Sequence, residues 1–556
     1  MGGSLNHVYR TVWNQALGAM VAVAEISTAR GKSPGQSGAS GHPPRLPRRL
    51  RGALSALAVA LAWGAVPTWV QANPTGGVAI QGQATFTTNG NNLLVTTQNG
   101  AGLNHSALNW QSFSIPTGSS TYFQQPTAAS TSINRVVSST PSLIFGNLGS
   151  NGNLVLVNQS GITVGAGAVV DTAGFTASAL RMGDADALAG RLRFGDANAA
   201  TAGVSILGSV LARSGDVVLL GSRVDTGSSA LVQAPNGSTV LAAGQQIEIT
   251  GRGLEGIVMQ VQAPSDSAVN LGTLKGDAVG IFAGTLRHSG AIQANSAANE
   301  GGKIVLKALQ RADVAGSLTA SGLDGGTVNL SVAPSSDANA LGVLVQSGAI
   351  EATGSSGVGG QVQISANNIL SSAAIRVDGV SQGGSVAVLA SDRALSTAAA
   401  QYTANSSTGR GGDILVNADV SNYTSGSYTA VGVVGGRVTL AGAEVKLPGT
   451  QVDASGAQGG GTVHVGGLMH GAPGLAAQGL ALSNASTVLT NAGASFKADA
   501  QQSGNGGEVV LWSDQKLSFA GSISAKGGSA SGNGGNAEVS GLTALGYSGT
   551  TDLSAA

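Results

Sequence analysis

Apolar and polar residues alternate along the second half of the chain, each time directly behind a pair of glycines. Nine copies share the order Gly-Gly, variable, apolar, variable, apolar, and the pairs begin at positions 301, 325, 359, 383, 411, 435, 460, 506 and 534. Such alternation predicts β-strands whose apolar side chains share one face, while residues such as Lys303 and Glu508 face outward. Steps of mostly 24 to 28 residues are typical of a solenoid or another repeat array.

The residues around each copy predict one coil of a parallel β-helix. We expect the glycines to form a tight bend with left-handed backbone angles, which glycine adopts without steric cost. A second short strand precedes most pairs, as at 317–322, and no helical pattern lies between the strands. Coils of such a fold stack about 4.8 Å apart, so ten would span roughly 50 Å. An array of β-sandwiches on flexible linkers is the alternative, but a sandwich domain needs roughly 100 residues.

Composition agrees with an ordered all-β repeat protein. Glycine makes up 87 of 556 residues without a Gly-X-Y period, and hydrophobic residues make up 42%, which argues against both collagen and a disordered chain. The 27 basic and 27 acidic residues balance, so there is no electrostatic basis for nucleic-acid binding. The absence of cysteine fits an exported chain that must stay unfolded while it passes a narrow pore.

The first 72 residues read as an extended signal peptide. A basic stretch at 45–51 is followed by an apolar stretch at 53–70, and small residues then lead to Ala72. This order predicts export through the general export machinery and cleavage by signal peptidase between Ala72 and Asn73. The alternative is a membrane anchor, since about 18 apolar residues approach the lower spanning limit. Cleavage is favoured because no stop-transfer charges follow.

Two further segments carry a family resemblance. Residues 5–32 precede the basic stretch and are similar to the extended signal region of large Gram-negative exoproteins, with Tyr9-Arg10, Trp13-Asn14 and a final Gly31-Lys32. The segment 107–115, Ala-Leu-Asn-Trp-Gln-Ser-Phe-Ser-Ile, resembles the Asn-Trp-x-Ser-Phe-x-Ile segment of the filamentous haemagglutinin secretion domain. Further motifs of that domain follow in order at 123–126, 133–136, 144–146, 156–162, 215–221 and 234–244.

The resemblance covers roughly residues 5–260 and implies a two-partner secretion exoprotein of the filamentous haemagglutinin family. It implies a right-handed parallel β-helix with an amino-terminal capped secretion domain at 73–260 and a Gly-Gly repeat shaft at 261–556. The final segment resembles a mid-chain part of longer members, so a short member and a truncated one are both open. The implied partner is a dedicated outer-membrane β-barrel transporter, and the implied location is the surface or the medium of a Gram-negative bacterium.

The same resemblance assigns secretion-motif residues. They are Asn109, Trp110, Asn134, Arg135, Asn158, Gly161 and Ile162. The family's Val-Asn-Pro-Asn-Gly-Ile is here Val-Asn-Gln-Ser-Gly-Ile, and without the Pro-Asn pair we expect a less rigid turn. Two interpretations stay open: these residues shape turns in the β-helix cap, or they contact the transporter directly.

Adhesion is the function that the resemblance implies, with an unidentified host-cell glycan or protein receptor. Haemolysins and haem-acquisition proteins of the same secretion family are alternatives. A self-contained autotransporter would carry a barrel of strands with aromatic girdles, whereas Trp512, Phe519 and Tyr547 are isolated, so we expect a separate transporter.

Catalytic, cofactor and metal sites are not expected. His464 alternates with valines and should point to solvent; together with His470 it could bind a metal, but no carboxylate or thiolate cluster accompanies the pair. Charged residues at 181–196 predict a solvated loop or short helix that leaves the coil. A β-helical polysaccharide-degrading enzyme remains an alternative, although we expect the outward positions of adjacent repeats not to present two acids.

Overall fold

The computed structural model describes residues 9–14, 19–24, 73–195, 202–295, 301–337, 340–475 and 479–555. The chain divides into two units, Met1–Val70 and Gln71–Ala556. In the first unit, β1 (Tyr9–Asn14) and β2 (Ala19–Ala24) pair antiparallel. The predicted cleavage site lies at the edge of the described residues, because Ala72 falls outside them and Asn73 opens the next described range.

The second unit is built almost wholly of short strands. Its elements up to residue 261 are β3 (Val78–Gln81), β4 (Gln83–Asn89), β5 (Asn92–Gln98), β6 (His105–Trp110), β7 (Ser120–Gln124), β8 (Thr131–Val136), β9 (Ser142–Ile144), β10 (Asn147–Ser150), β11 (Asn153–Val157), β12 (Ile162–Val164), β13 (Val169–Thr172), β14 (Gly174–Ser178), α1 (Asp184–Ala189), β15 (Leu192–Phe194), β16 (Val204–Ile206), β17 (Ser209–Ala212), β18 (Val217–Gly221), β19 (Arg223–Thr226), β20 (Leu231–Ala243), β21 (Gln246–Ile249), a 3-10 helix (Leu254–Gly256) and β22 (Ile257–Val261).

Short strands also make up the repeat region. They are β23 (Ser267–Asn270), β24 (Thr273–His288), β25 (Ala291–Ala294), β26 (Lys303–Val314), β27 (Ser317–Thr319), β28 (Thr327–Val332), β29 (Val343–Gln346), β30 (Ile350–Glu351), β31 (Gln361–Ser371), β32 (Ala374–Arg376), β33 (Ser385–Ser396), β34 (Gln401–Thr403), β35 (Asp413–Thr424), β36 (Ser427–Thr429), β37 (Gly432–Val434), β38 (Arg437–Leu447), β39 (Gln451–Asp453), β40 (Gly456–Gly459), β41 (Thr462–Val465), a 3-10 helix (Met469–Gly471), β42 (Gly474–Leu475), β43 (Ala481–Leu482), β44 (Thr487–Thr490), β45 (Ser495–Lys497), β46 (Glu508–Ser513), β47 (Lys516–Phe519), β48 (Ser522–Ser524), β49 (Asn536–Gly541), β50 (Ala544–Tyr547) and β51 (Thr550–Asp552).

These strands form a parallel β-helix with three faces, as the sequence predicts. We number the faces in chain order within a coil. Ladder 1 runs from β6 through β8, β11, β14 and β18 to β49 and contains the Gly-Gly repeats; ladder 2 runs from β9 through β12 and β16 to β50. Ladder 3 runs from β5 through β7, β10, β13 and β17 to β51. No described helix is long and apolar enough to cross a membrane.

The strand register confirms the alignment of the nine repeats. Their first variable residues pair in succession across ladder 1, in the order Lys303, Thr327, Gln361, Ser385, Asp413, Arg437, Thr462, Glu508 and Asn536. The apolar positions that follow them are buried in the first eight copies, as at Ile304 and Val328, and only partly buried at Ala537 and Val539 in the ninth. The register is kept across the two longest steps, of 34 and 46 residues, where Thr327 pairs with Gln361 and Thr462 pairs with Glu508.

The structural reason for the glycine pairs differs from the prediction. None of the nine pairs has a backbone φ in the left-handed region, so conformational freedom does not explain them. The pairs stack on one another at the corner between ladders 3 and 1. A Cβ on Gly326 would lie 2.1 Å from the carbonyl oxygen of Gly302, and a Cβ on Gly360 would lie 2.2 Å from that of Gly326. Glycine is therefore required because neighbouring coils approach backbone to backbone.

The amino-terminal end of the β-helix is covered by antiparallel pairing. Strand β3 pairs with β6, and β4 folds back on β5. An aromatic cluster lies beneath this cap, where the ring of Trp110 makes edge contacts with Phe86 at 5.4 Å and Phe113 at 5.5 Å between centroids. Large apolar rings close the end of the core at the coil that has no preceding parallel neighbour.

A buried polar column runs inside the coils where ladder 2 meets ladder 3. Thr226 donates a hydrogen bond to the Oδ1 atom of Asn270, whose Nδ2 donates to His288 Nδ1 at 3.0 Å. The Nε2–H of His288 then donates to the carbonyl oxygen of Ser317 at 3.3 Å. This chain of donors fixes a neutral imidazole, and burial lowers the pKa of His288 from 6.5 to about 4.

We expect the coils around His288 to loosen in mild acid. Because the folded pKa lies below the unfolded value, protonation favours the open state, so local stability is full above pH 6.5 and falls towards pH 4. The loss amounts to about 3 kcal/mol over that window. Amide hydrogen exchange in β24, β25 and β27 measures it, after correction for the intrinsic effect of pH. In a His288→Asn variant this pH dependence should disappear; an unchanged profile would contradict the assignment.

Candidate functional site

The secretion-motif residues gather on adjacent rungs next to the cap. Strand β8 lies between β6 and β11 in ladder 1, and its Asn134 pairs in register with Leu108 on one side and Leu156 on the other. The Oδ1 atom of Asn134 accepts a hydrogen bond from the Trp110 indole N–H at 2.9 Å, and its Nδ2 donates to Ser132. Both Asn134 and Trp110 are buried, so the pair is an internal polar contact in the folded chain.

Asn158 organises the turn that follows β11. Its side chain donates to the carbonyl oxygen of Thr140 and to the hydroxyl of Ser142, each at 2.9 Å. Its Oδ1 atom accepts a hydrogen bond from the backbone N–H of Ser160 at 2.9 Å. A side chain therefore stabilises this turn although the Pro-Asn pair is missing. Gly161 has a φ of 101°, in the left-handed region, and the following Ile162 is buried.

Arg135 links ladder 1 to the short helix α1. Its guanidinium is largely buried and forms an ion pair with Asp184 in the first turn of α1. The same segment forms two more ion pairs. Arg191 pairs with Asp186 at 2.9 Å, and Arg193 on β15 pairs with Glu248 on β21 at 3.2 Å. The charged stretch at 181–196 does contain a short helix outside the coil. It is not wholly solvated, because Asp184 forms an ion pair with the buried Arg135.

A second hydrophobic core lies on the outer face of ladder 1, and the sequence interpretation missed it. Strands β15, β21 and β22 form an antiparallel sheet over this face, and Phe194 and Ile247 are buried beneath it. They pack in a cluster with outward-facing residues of ladder 1, among them Val155 and Val218. The signal was present: residues 154–157 and 217–220 are continuous apolar runs, as expected for strands buried on both faces.

The two histidines of the repeat region lie in different surroundings. His464 does not point to free solvent, because its side chain is 13% exposed and its Nε2 lies 2.8 Å from Glu508 Oε1. Burial of His464 lowers its pKa, while the glutamate opposes the shift. His470 is 84% exposed and its ring lies 3.5 Å from Glu538. Among the described residues, no group of three or more His, Cys, Asp or Glu is placed to hold a metal ion.

The outer face of ladder 1 in the repeat region is polar and shallowly concave. A depression of about 450 Å³ is lined by amide and hydroxyl side chains that include Thr327, Gln361 and Gln363. Asp413 borders it, and burial raises the pKa of that carboxyl against the opposing effect of Arg437. The expectation that adjacent repeats present no two acids is wrong for the last two copies. Glu508 and Glu538 lie on the adjacent strands β46 and β49, at the first and second variable positions of their copies.

Comparisons with known proteins match both segments that carry the family resemblance. Residues 70–330 match the family model of the TPS secretion domain, and residues 6–64 match that of the Extended Signal Peptide of Type V secretion system. A Heme/hemopexin-binding protein of Haemophilus influenzae is 33% identical over 110 residues. That match covers 19% of this chain and 11% of the relative's length.

Two solved secretion domains also align with the chain. The HMW1 secretion domain from Haemophilus influenzae aligns with a TM-score of 0.35 and 21% identity, over 86% of this chain and 100% of that domain. The filamentous hemagglutinin secretion domain aligns with a TM-score of 0.27 and 15% identity, over 59% of this chain and 97% of that domain.

Proposed function

From the premise that this chain is a two-partner secretion exoprotein, exported to the cell surface or the medium through an outer-membrane transporter, we propose that it acts there as an adhesin. The observation that carries the proposal is a signal extension and a secretion domain together with a long β-helix among the described residues. Ladder 3 alone has seventeen rungs from β5 to β51, so sixteen steps span roughly 80 Å. Such a ladder would hold a receptor-binding surface away from the cell.

Folding of the coils outside the cell would drive the last stage of export. Each coil buries its apolar face only against its neighbours, so a newly emerged coil gains stability by stacking on those already folded. The interior residues Leu306 and Leu330 lie on successive rungs of ladder 1 and are each about 1% exposed. Burial of this kind opposes backward movement of the chain through the transporter pore.

We assign the secretion-motif residues a role before and during folding of the cap. Asn134 and Asn158 are fully buried and Trp110 is 1% exposed, so a transporter would reach their side chains while the secretion domain is unfolded. Once the domain folds, the same residues hold the first coils together through the hydrogen bonds of Asn134 and Asn158. Signal peptidase would by then have cleaved the chain between Ala72 and Asn73 and removed the leader from this domain.

Haem acquisition is the second candidate function. It is favoured by the 110-residue similarity to a protein whose name states that it binds haem and hemopexin. The enzyme alternative receives no comparable support, because the two matching family models describe a secretion domain and a signal region.

Transporter-dependent display tests the proposal. Expressed in a Gram-negative host together with its cognate transporter, the chain should reach the surface or medium, and cells that retain it should adhere to an epithelial monolayer. Without the transporter it should remain in the periplasm. Asn134→Leu removes the acceptor of the Trp110 N–H and leaves that group unsatisfied, at a cost of about 1 to 3 kcal/mol. We expect at least fivefold lower secretion for this variant, measured by immunoblot of medium and cells.

Asn536→Leu is the matched control, because Asn536 is exposed on the outer face of β49. It should be secreted like the unmodified chain. Equal secretion of the Asn134 variant would argue against the motif role. Normal display without any gain in adherence would argue against the adhesin role, and haem binding by the secreted chain would then favour the second candidate.

A further inference from the structure

A concave pocket opens on ladder 3 close to the capped end. Its volume is about 650 Å³, and its floor is formed by three consecutive rungs, β7, β10 and β13. The walls come from the segments around Asn151 and Arg213. The size falls within the range of pockets that hold small ligands, which combine an apolar surface with a few convergent polar groups.

The largest apolar group that lines the pocket is the ring of Tyr122, and Val169 lies on the same lining. Tyr122 faces outward from β7 and is 41% exposed. Its neighbour on the next rung is Gly149, and a Cβ on Gly149 would lie 2.7 Å from the Tyr122 Cδ2 atom. The ring therefore lies over the sheet in the space that a side chain on β10 would take. This position leaves part of an aromatic ring accessible to a ligand.

Polar groups surround the ring on the same face. On β13, Asp171 follows Gly149 in the same column, and its Oδ1 atom accepts a hydrogen bond from Arg213 Nε at 2.6 Å. A second bond joins Arg213 Nη2 to the other carboxylate oxygen, so the pair is bidentate and its charges cancel. Both side chains remain partly exposed, at 33% for Asp171 and 66% for Arg213. They retain donor and acceptor capacity towards the pocket.

We propose that this pocket binds a neutral pyranose unit of a glycan, stacked on Tyr122 and hydrogen-bonded by Asp171 and Arg213. A pyranose ring has a C–H face that packs on an aromatic ring and hydroxyls at its rim that both donate and accept hydrogen bonds. The net neutrality of the Asp171–Arg213 pair favours an uncharged sugar over an anionic one. The proposal gives the adhesin function a ligand class, and it rests on that function for its biological purpose.

Saturation-transfer NMR on the secreted mature chain tests the proposal, with lactose, maltose and N,N′-diacetylchitobiose as the probes. We expect at least one of the three to bind with a dissociation constant on the order of 1 mM. Tyr122→Ala should weaken that binding at least tenfold, while Tyr122→Phe, which keeps the ring, should change it by less than about threefold. Tyr423→Ala is the control, since Tyr423 is similarly exposed at 43% but lies on β35 in ladder 2.

The outcomes separate this proposal from the function it extends. Absence of saturation transfer to all three sugars, or equal binding by the Tyr122→Ala variant, would overturn it. Reduced secretion of the Tyr122→Ala variant, with unchanged sugar binding by the fraction that is secreted, would overturn it too and would assign the pocket to the transporter. Sugar binding that depends on Tyr122 in a chain that confers no adherence would support the pocket and contradict the adhesin function.

Discussion

Glutamates at Ile304, Leu306, Val328 and Leu330 should stop the chain in the periplasm. All four side chains point into the β-helix on two successive rungs of ladder 1, and none is more than 1% exposed. A carboxylate at such a position must stay neutral or lose its hydration, at a cost on the order of several kcal/mol per site. The two rungs would then fail to stack, and coils beyond them would lack a folded neighbour.

The measurement is the ratio of chain in the medium and on the surface to chain in the periplasm. We expect it to fall at least tenfold when the transporter is present. A matched variant has glutamates at Lys307, Thr327, Gln361 and Gln363, which lie on the same or the adjacent rungs and are exposed. It should be secreted nearly normally. Normal secretion of the variant with buried glutamates would refute the idea that stacking of coils drives export.

Single methyl groups at the Gly-Gly corner should be nearly as damaging. Three consecutive glycines at 459–461 provide an internal comparison. A Cβ on Gly460 would lie 2.0 Å from the carbonyl oxygen of Ala498, and one on Gly461 would lie 2.2 Å from that of Gly436. Both obstacles are backbone atoms of neighbouring coils, which cannot move without breaking ladder hydrogen bonds. Gly460→Ala or Gly461→Ala should therefore destabilise these coils by several kcal/mol.

Gly459→Ala is the control for these variants. A Cβ there would meet only a methyl group of Val434, at an ordinary contact distance of 3.9 Å, and the backbone is not left-handed. Its effect should stay within about 1 kcal/mol. Limited proteolysis and amide exchange of β39 to β46 would measure the three variants side by side. Equal sensitivity at all three positions would contradict the steric explanation of the repeat.

The repeat period and the alternation of apolar residues were sufficient to predict the strands and their register. Lys303, Thr327 and Gln361 occupy equivalent positions in the repeat, and the structure pairs them in that order. Periodicity is informative here because every coil buries its apolar side chains at the same positions of the repeat. The family motifs likewise identified a set of residues that the fold brings together next to the cap.

The physical role of individual residues could not be read from the same patterns. Asn134 and Arg135 are adjacent in the sequence, yet one contacts Trp110 inside the coil and the other contacts Asp184 outside it. Successive strand residues point to opposite faces, and the partner on each face comes from a distant part of the chain. The pocket at Tyr122 likewise depends on the alignment of three rungs and on a glycine that leaves room for the ring.

The sequence by itself determined the stacking of strands in the repeat region, because a short, regular step between alternating segments leaves too few residues for a separate domain in each copy. Tertiary structure alone decided why the paired glycines are needed, since the clash they avoid is with a neighbouring coil about two dozen residues away. It also decided which outward faces are covered. The sheet of β15, β21 and β22 buries the outer face of ladder 1 near residues 155 and 218, whereas the same face is exposed to solvent at Gln361. Burial depends on what packs against a strand, and a local pattern records that only indirectly.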